Sequence, residues 1–403
     1  MTAMLGALSG YLFGETQYRI GSYTVDVKEQ LSEGGFAFIF RVVEASTGRE
    51  FALKKINCQS AELKRMAERE VELMRRLPQD ENLVRYYDAA IVQEGGSDVT
   101  LILMELCSEG TLITLLEKYD GRLNLAQILY VMKDICRGVK LLHKLGVAHR
   151  DLKVENVLLS QKKFKLCDFG SWSDTTHDLA SLPSSELQRL QEKFEGETTL
   201  MYRPPEMCDV FSRQEVSTKV DIWMLGCILY TLAYFKHPFQ NQNQLAIVNV
   251  HYYFPETDRF DEKFRQLVKW LLDPCPTTRP DIDQVLAALD NYHFTSDFGP
   301  ISPVYTATRT SKKTRDRDLT DEEIAAEIAK IQRQREIYPE LPRAFKPAVK
   351  PPVQTAPTAN IWASPLGGLG FQSAPATASA SIWAAPLEVP KSKPEESKGW
   401  ANF

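Results

Sequence analysis

His149-Arg150-Asp151-Leu152-Lys153-Val154-Glu155-Asn156, followed after a short apolar, strand-like stretch by Asp168-Phe169-Gly170, is the part of this chain that decides its fold. Chance rarely places both strings at this separation. From Tyr23 to about His293, short β-branched or aromatic runs alternate with helical periodicity, strands first and helices afterwards, which predicts an α+β fold. Tyr23 to Val27, Phe38 to Val43, Glu50 to Ile56, Tyr86 to Val92 and Thr100 to Glu105 read as strands of a small antiparallel sheet. One long helix interrupts them from about Ser60 to Leu77, where Leu63, Met66, Glu70, Leu73 and Leu77 recur at helical spacing. Leu125 to Leu145 and Thr218 to Tyr234 read as buried helices of a larger, mostly helical region.

The two strings resemble the catalytic and metal-binding loops of protein kinases, and Lys153 resembles the Ser/Thr kinases more than the tyrosine kinases. The resemblance implies a bilobal fold, ATP and magnesium as cofactors, and transfer of the γ-phosphate to a protein Ser or Thr. Such a transfer needs little covalent chemistry from the protein. It needs the nucleotide's charge neutralised and a hydroxyl held in line with the phosphorus. On this reading Asp151 accepts or orients the hydroxyl proton, Lys153 contacts the γ-phosphate, and Asn156 and Asp168 are hard oxygen ligands for magnesium. His149 is expected to brace the loop rather than act as a base. Arg150 is expected to hold an activation-segment phosphate or another acidic group.

Upstream, Ala52-Leu53-Lys54 resembles the kinase strand whose lysine holds the α- and β-phosphates, with Glu70 as its ion-pair partner. Lys55, Glu68 and Glu72 compete in the sequence, but the register against the apolar positions favours Lys54 and Glu70. The loop expected to cover the phosphates reads Leu31-Ser32-Glu33-Gly34-Gly35-Phe36-Ala37-Phe38-Ile39, so Ser32 and Ala37 stand where the usual pattern has glycine. Small side chains still permit close backbone approach, and Gly34 keeps the central freedom. Met104 takes the gatekeeper position, with Glu105, Leu106 and Cys107 as the hinge that bonds adenine through its backbone. Ala52 packs on the purine and Leu158 completes the nucleotide-binding set. Cys107 and Cys167 are expected to be buried structural thiols rather than reactive ones.

The altered loop, with Glu-Gly-Gly-Phe-Ala, together with Cys167-Asp168-Phe169-Gly170-Ser171 and Asp221-Ile222-Trp223-Met224-Leu225-Gly226-Cys227, resembles the Numb-associated kinases, a group that includes the adaptor-associated and cyclin-G-associated kinases. The likeness runs from about Leu31 to Val285 and takes in Thr199-Leu200-Met201-Tyr202-Arg203-Pro204-Pro205-Glu206, where the family usually has Ala at Pro204. It implies that Thr199 bridges Asp151 and Lys153, that Glu206 pairs with Arg279, and that Asp221 braces the catalytic-loop backbone. Thr198 is an alternative phosphorylation site. Met207 to Arg213 is expected to form the family's extra helix, whereas Ser171 to Gly196, rich in Ser, Thr and Asp, reads as a mobile segment. By the same resemblance the substrate is a clathrin-adaptor subunit.

A net charge of -5 gives no general attraction to polyanions, so nucleic acid is not an expected partner. The seven cysteines are odd in number, scattered, and never form a C-x-x-C pair, a pattern suited to a reducing cytoplasm. Coat sites at the plasma membrane or endosomes are the expected peripheral location. The apolar start, Leu5 to Leu12, lacks a preceding Lys or Arg and is broken by Gly6, Ser9 and Gly10, so neither a signal peptide nor a transmembrane segment is expected. A plain leader and a weak amphipathic membrane contact remain the two readings of residues 1–21.

The kinase-like domain is expected over 22–296, followed by a charged linker over 297–338. Within the linker, Thr320 and Glu323 make a capping-box signature for a helix over 319–335. Pro, Ala and Ser dominate 339–403, and no charged residue occurs between Lys350 and Glu388, so a disordered tail is expected. There Ile361-Trp362-Ala363-Ser364-Pro365-Leu366 recurs as Ile382-Trp383-Ala384-Ala385-Pro386-Leu387, and Trp400-Ala401-Asn402-Phe403 resembles the W-x-x-F peptides that bind adaptor appendage domains. A tryptophan on an unfolded strand is a natural anchor for a pocket. The tail binds such adaptors, folds back on the domain or is unselected composition, and a trafficking scaffold with incidental kinase activity is the alternative to the enzyme.

Overall fold

The computed structural model describes residues 16–34, 37–119, 123–240, 242–256 and 258–293. Strands β1 (Gln17–Ile20), β2 (Tyr23–Glu33), β3 (Ala37–Glu44), β4 (Glu50–Cys58), β5 (Tyr86–Glu94) and β6 (Ser97–Met104) form one antiparallel sheet in the order β1-β2-β3-β4-β6-β5. Helix α1 (Ala61–Arg76) packs on one of its faces, against Ile56 and Ile102. The opposite face carries its own cluster, in which Phe51, Leu53, Leu101 and Leu103 meet Ile20 and Val25. Burial of both faces explains why Phe51 to Ile56 lacks a clean polar alternation. Strand β1 precedes the expected domain start and was not foreseen, because its run is short and mostly exposed.

The helical part contains α2 (Leu112–Lys118), α3 (Leu125–Lys144), α4 (Ser184–Glu197), α5 (Pro205–Cys208), α6 (Lys219–Tyr234), α7 (Gln244–Val248), α8 (Glu262–Leu271) and α9 (Ile282–Asp290). Helix α3 starts at a capping box of Asn124 and Gln127, and α6 is buried almost all round, as a central helix should be. A two-stranded hairpin, β7 (Val157–Ser160) with β8 (Lys163–Leu166), lies between the two diagnostic strings and presses on α3. The five expected strands and the three long helices expected between Ser60 and Tyr234 are present, and the α+β architecture holds.

Two local expectations are corrected. Ser184–Glu197, inside the segment read as mobile, is a helix, because Leu187 and Phe194 make a buried stripe that the surrounding polar composition hides. Met207 to Arg213 is not one helix: α5 ends at Cys208, and a single 3-10 turn over Val210–Ser212 stops at Arg213 in the left-handed region. Among the described residues, no helix is long and apolar enough to cross a membrane. The expected linker helix over 319–335 and the tryptophan repeats lie outside the described residues.

Candidate active site

The alternation of β4 aims Lys54 at the face covered by α1, and helical spacing brings Glu70 to meet it. Lys54 Nζ lies 2.7 Å from Glu70 Oε1, 2.9 Å from Glu70 Oε2 and 2.7 Å from Asp168 Oδ1. Lys55 points the other way, to Glu94 and the Tyr18 hydroxyl, while Glu72 sits on the exposed side of α1 beside Arg76. Register therefore selects Lys54 and Glu70 from their neighbours. Burial opposes the charge on Lys54, but the Asp168 and Glu70 carboxylates outweigh it and raise its pKa. The Lys54 ammonium in turn holds Asp168 down at about 2. Asp168 adopts φ 62° and Arg150 φ 68°, so each diagnostic string contains a non-glycine residue in the left-handed region.

Asp151 sits at the centre of the second cluster. Its Oδ1 accepts from the Thr199 backbone N–H at 3.1 Å and from the Thr199 hydroxyl at 2.8 Å. Its Oδ2 accepts from Lys153 Nζ at 2.7 Å, and Lys153 also donates to the Thr199 hydroxyl oxygen at 3.1 Å. Asn156 Nδ2 donates to the Asp151 carbonyl at 2.9 Å, which fixes the amide and commits its nitrogen rather than its oxygen. Fully buried Asp221 accepts from the His149 and Arg150 backbone N–H groups at 2.8 and 2.9 Å, with His143 Nε2 at 2.9 Å. His149 is buried, with Nε2 at 3.2 Å from the Cys167 carbonyl and its ring on Phe169. It braces the loop and faces away from solvent.

The loop expected to cover the nucleotide is an extension of β2 and β3, with Ser32 opposite Ile39 and Glu33 opposite Phe38. The Gly34 N–H donates to the Ala37 carbonyl at 2.8 Å, and Leu31 is exposed. Gly35 and Phe36 lie outside the described residues. Ala52 pairs with Met104 across β4 and β6, next to the hinge. The Glu105 N–H donates to the Arg85 carbonyl at 2.9 Å, while its carboxylate holds Lys165 Nζ and the Ser160 hydroxyl, both at 3.1 Å. Leu158, half-buried in β7, bridges Thr111 beyond the hinge. Burial pushes the Cys107 thiol up to about 12 and raises Cys167 too, so neither is a thiolate at neutral pH.

Farther out, Arg279 grips Glu206 with two bonds of 2.7 and 2.9 Å, both side chains wholly buried. Arg150 donates from Nη2 to the Thr175 carbonyl at 3.0 Å and lies 5.6 Å from the Phe194 ring centre. Its Nε and Nη1 are buried and without hydrogen-bond partners among the described residues. Phe194 and Trp172, both buried beside the site, were passed over in the sequence reading. A helical stripe around Phe194 was the available signal; Trp172 offered none.

A protein kinase domain model matches residues 25–289. The chain is 34% identical over 280 residues to a probable serine/threonine-protein kinase of Dictyostelium discoideum, covering 68% of this chain and 25% of that protein. A second from the same organism is 32% identical over 302 residues, covering 73% and 37%. A serine/threonine-protein kinase of Schizosaccharomyces pombe is 32% identical over 277 residues, covering 67% and 29%. The chain thus matches only about a quarter to a little over a third of the length of these curated relatives. With the match running from within β2 through the rest of the sheet and both diagnostic loops, the chain belongs to the protein kinase domain family.

Proposed function

We propose that this protein transfers the γ-phosphate of ATP to serine or threonine of a protein substrate. The observation that carries the reading is the convergence of Lys54, Glu70 and Asp168 on one side and Asp151, Lys153 and Thr199 on the other. Lys54, oriented by Glu70, holds the α- and β-phosphates. Asp151 accepts or orients the proton of the substrate hydroxyl while Thr199 and Lys153 keep its carboxylate aimed, and Lys153 reaches the γ-phosphate.

Asn156 and Asp168 fit magnesium: Asp168 is ionised and half-exposed, and the Asn156 amide is anchored through its nitrogen, leaving its oxygen as the donor atom. Bound there, the ion would neutralise charge on the phosphate oxygens. The hinge at Glu105 to Cys107, with Ala52, Met104 and Leu158, takes the adenine.

Incubation of the purified chain with Mg-ATP and generic basic proteins, read by intact mass, tests the transfer. Phosphorylated Ser or Thr should appear with the wild type and vanish with Asp168→Ala; equal incorporation by both would end the proposal.

We further propose membership of the Numb-associated group, supported by the Glu33-Gly34-Gly35-Phe36-Ala37 loop and the Cys167 to Ser171 string, with a clathrin-adaptor subunit as substrate and cytoplasmic coat sites as location. The tail's repeated Ile-Trp-Ala motifs and Trp400 to Phe403 would recruit adaptor appendage domains. Purified adaptor subunits should then be better substrates than generic basic proteins, and removal of residues 339–403 should weaken adaptor capture.

A further inference from the structure

We propose that Trp172 and Arg69 form a clamp holding the Glu70 helix against the Asp168-Phe169-Gly170 turn, which makes both positioning residues for phosphoryl transfer; the inference rests on the kinase reading above. Trp172 Nε1 donates to the Arg69 carbonyl at 2.9 Å, and Arg69 Nη2 donates back to the Trp172 carbonyl at 3.2 Å. The Arg69 guanidinium carbon also lies 4.8 Å from the Trp172 ring centre, within cation–π range. Trp172 is buried, so these contacts form where water competes little.

Each partner adjoins the chemistry. Arg69 precedes Glu70 on α1, and the Trp172 N–H donates to the Phe169 carbonyl at 3.4 Å, closing the turn that carries Asp168. Next to it, the Ser171 hydroxyl donates to the Glu197 carbonyl at 2.5 Å and ties this corner to the end of α4. One bond engages the helix backbone and the other a helix side chain. The first fixes the axial position of α1 and the second its rotation. Glu70 therefore cannot swing from Lys54 without breaking the clamp, and the clamp uses no modified residue.

The test measures kcat, KM for ATP and amide hydrogen exchange on the purified full chain and its variants. Trp172→Ala should lower kcat about tenfold, with KM for ATP changing less than about threefold, because the indole N–H bond to the Arg69 carbonyl and the cation–π contact with the Arg69 guanidinium are lost together. Exchange should quicken over Ala61–Arg76 and not over Leu125–Lys144. If Trp172→Ala does not fold, Trp172→Phe carries the test: it keeps the ring, loses only the indole N–H, and should lower kcat about fivefold. An unchanged kcat, or exchange that rises equally in Leu125–Lys144, overturns the clamp. Absence of Asp168-dependent transfer in the wild type would instead defeat the kinase reading, and the exchange comparison would still decide the clamp.

Discussion

Thr199 is joined to Asp151 twice, by its backbone N–H at 3.1 Å and its hydroxyl at 2.8 Å, both to the same carboxylate oxygen. The loop that begins at Thr199 is thereby fastened to the group proposed to orient the substrate hydroxyl. The hydroxyl oxygen also accepts from Lys153, so one small side chain sets two functional groups.

Thr199→Ala should therefore lower kcat about tenfold, the cost expected for one lost charge-assisted hydrogen bond. Thr199→Ser should keep most activity, and Thr199→Asp should be worse than alanine because it sets a second negative charge beside Asp151. Steady-state kinetics on the three variants check this; full activity in the alanine variant would remove Thr199 from the mechanism.

The Glu206–Arg279 pair is a structural anchor between α5 and the segment before α9. Glu206→Gln leaves a buried guanidinium without its counter-charge and should destabilise the domain by about 3 kcal/mol. Urea unfolding with an unchanged slope and a lower midpoint is the expected result. A midpoint equal to wild type would show that the pair contributes nothing net.

His237 is buried against Tyr202, its Nδ1 accepting from the Phe239 N–H, and burial lowers its pKa to about 3 from 6.5. The folded protein keeps this ring neutral, whereas the unfolded chain takes up a proton as pH falls below 6.5. Stability is therefore fully present above that value and is lost on acidification towards pH 3. Between pH 7.5 and pH 5 this group alone should cost about 2 kcal/mol. His237→Asn should flatten that part of the pH dependence in urea titrations; an undiminished slope would assign it to other groups.

Gly138 lies where α3 meets the β7–β8 hairpin, and a Cβ there would fall 2.8 Å from the Asn82 carbonyl oxygen and 2.9 Å from Leu166. Gly138→Ala raises helix propensity, yet the crowding should win and destabilise the domain by about 1–3 kcal/mol. Thermal unfolding decides between the two effects, and a raised midpoint would mean the hairpin yields more easily than its packing implies.

Much of the fold was legible because its signals are local. Short β-branched or aromatic runs marked five of the six strands of the large sheet, and Asn124 with Gln127 marks the start of α3. Strand β1 and helix α4 escaped because each owes its stability to a distant surface rather than to its own pattern. In β1 only Ile20 is buried. In α4 the buried Leu187 and Phe194 are surrounded by Ser, Glu and Gln.

The same division runs through the site. The amino-acid order by itself determined the α+β class, the two diagnostic strings and the candidate residues, since these depend on neighbours a few positions apart. Packing alone decided that Lys54 meets Asp168 across 114 positions, and that Lys55 turns to Glu94 and the Tyr18 hydroxyl. Trp172 locking onto Arg69, 103 positions away, belongs to the same class. Contacts of that length depend on strand face and helix rotation together, and neither is written in the residues of one segment.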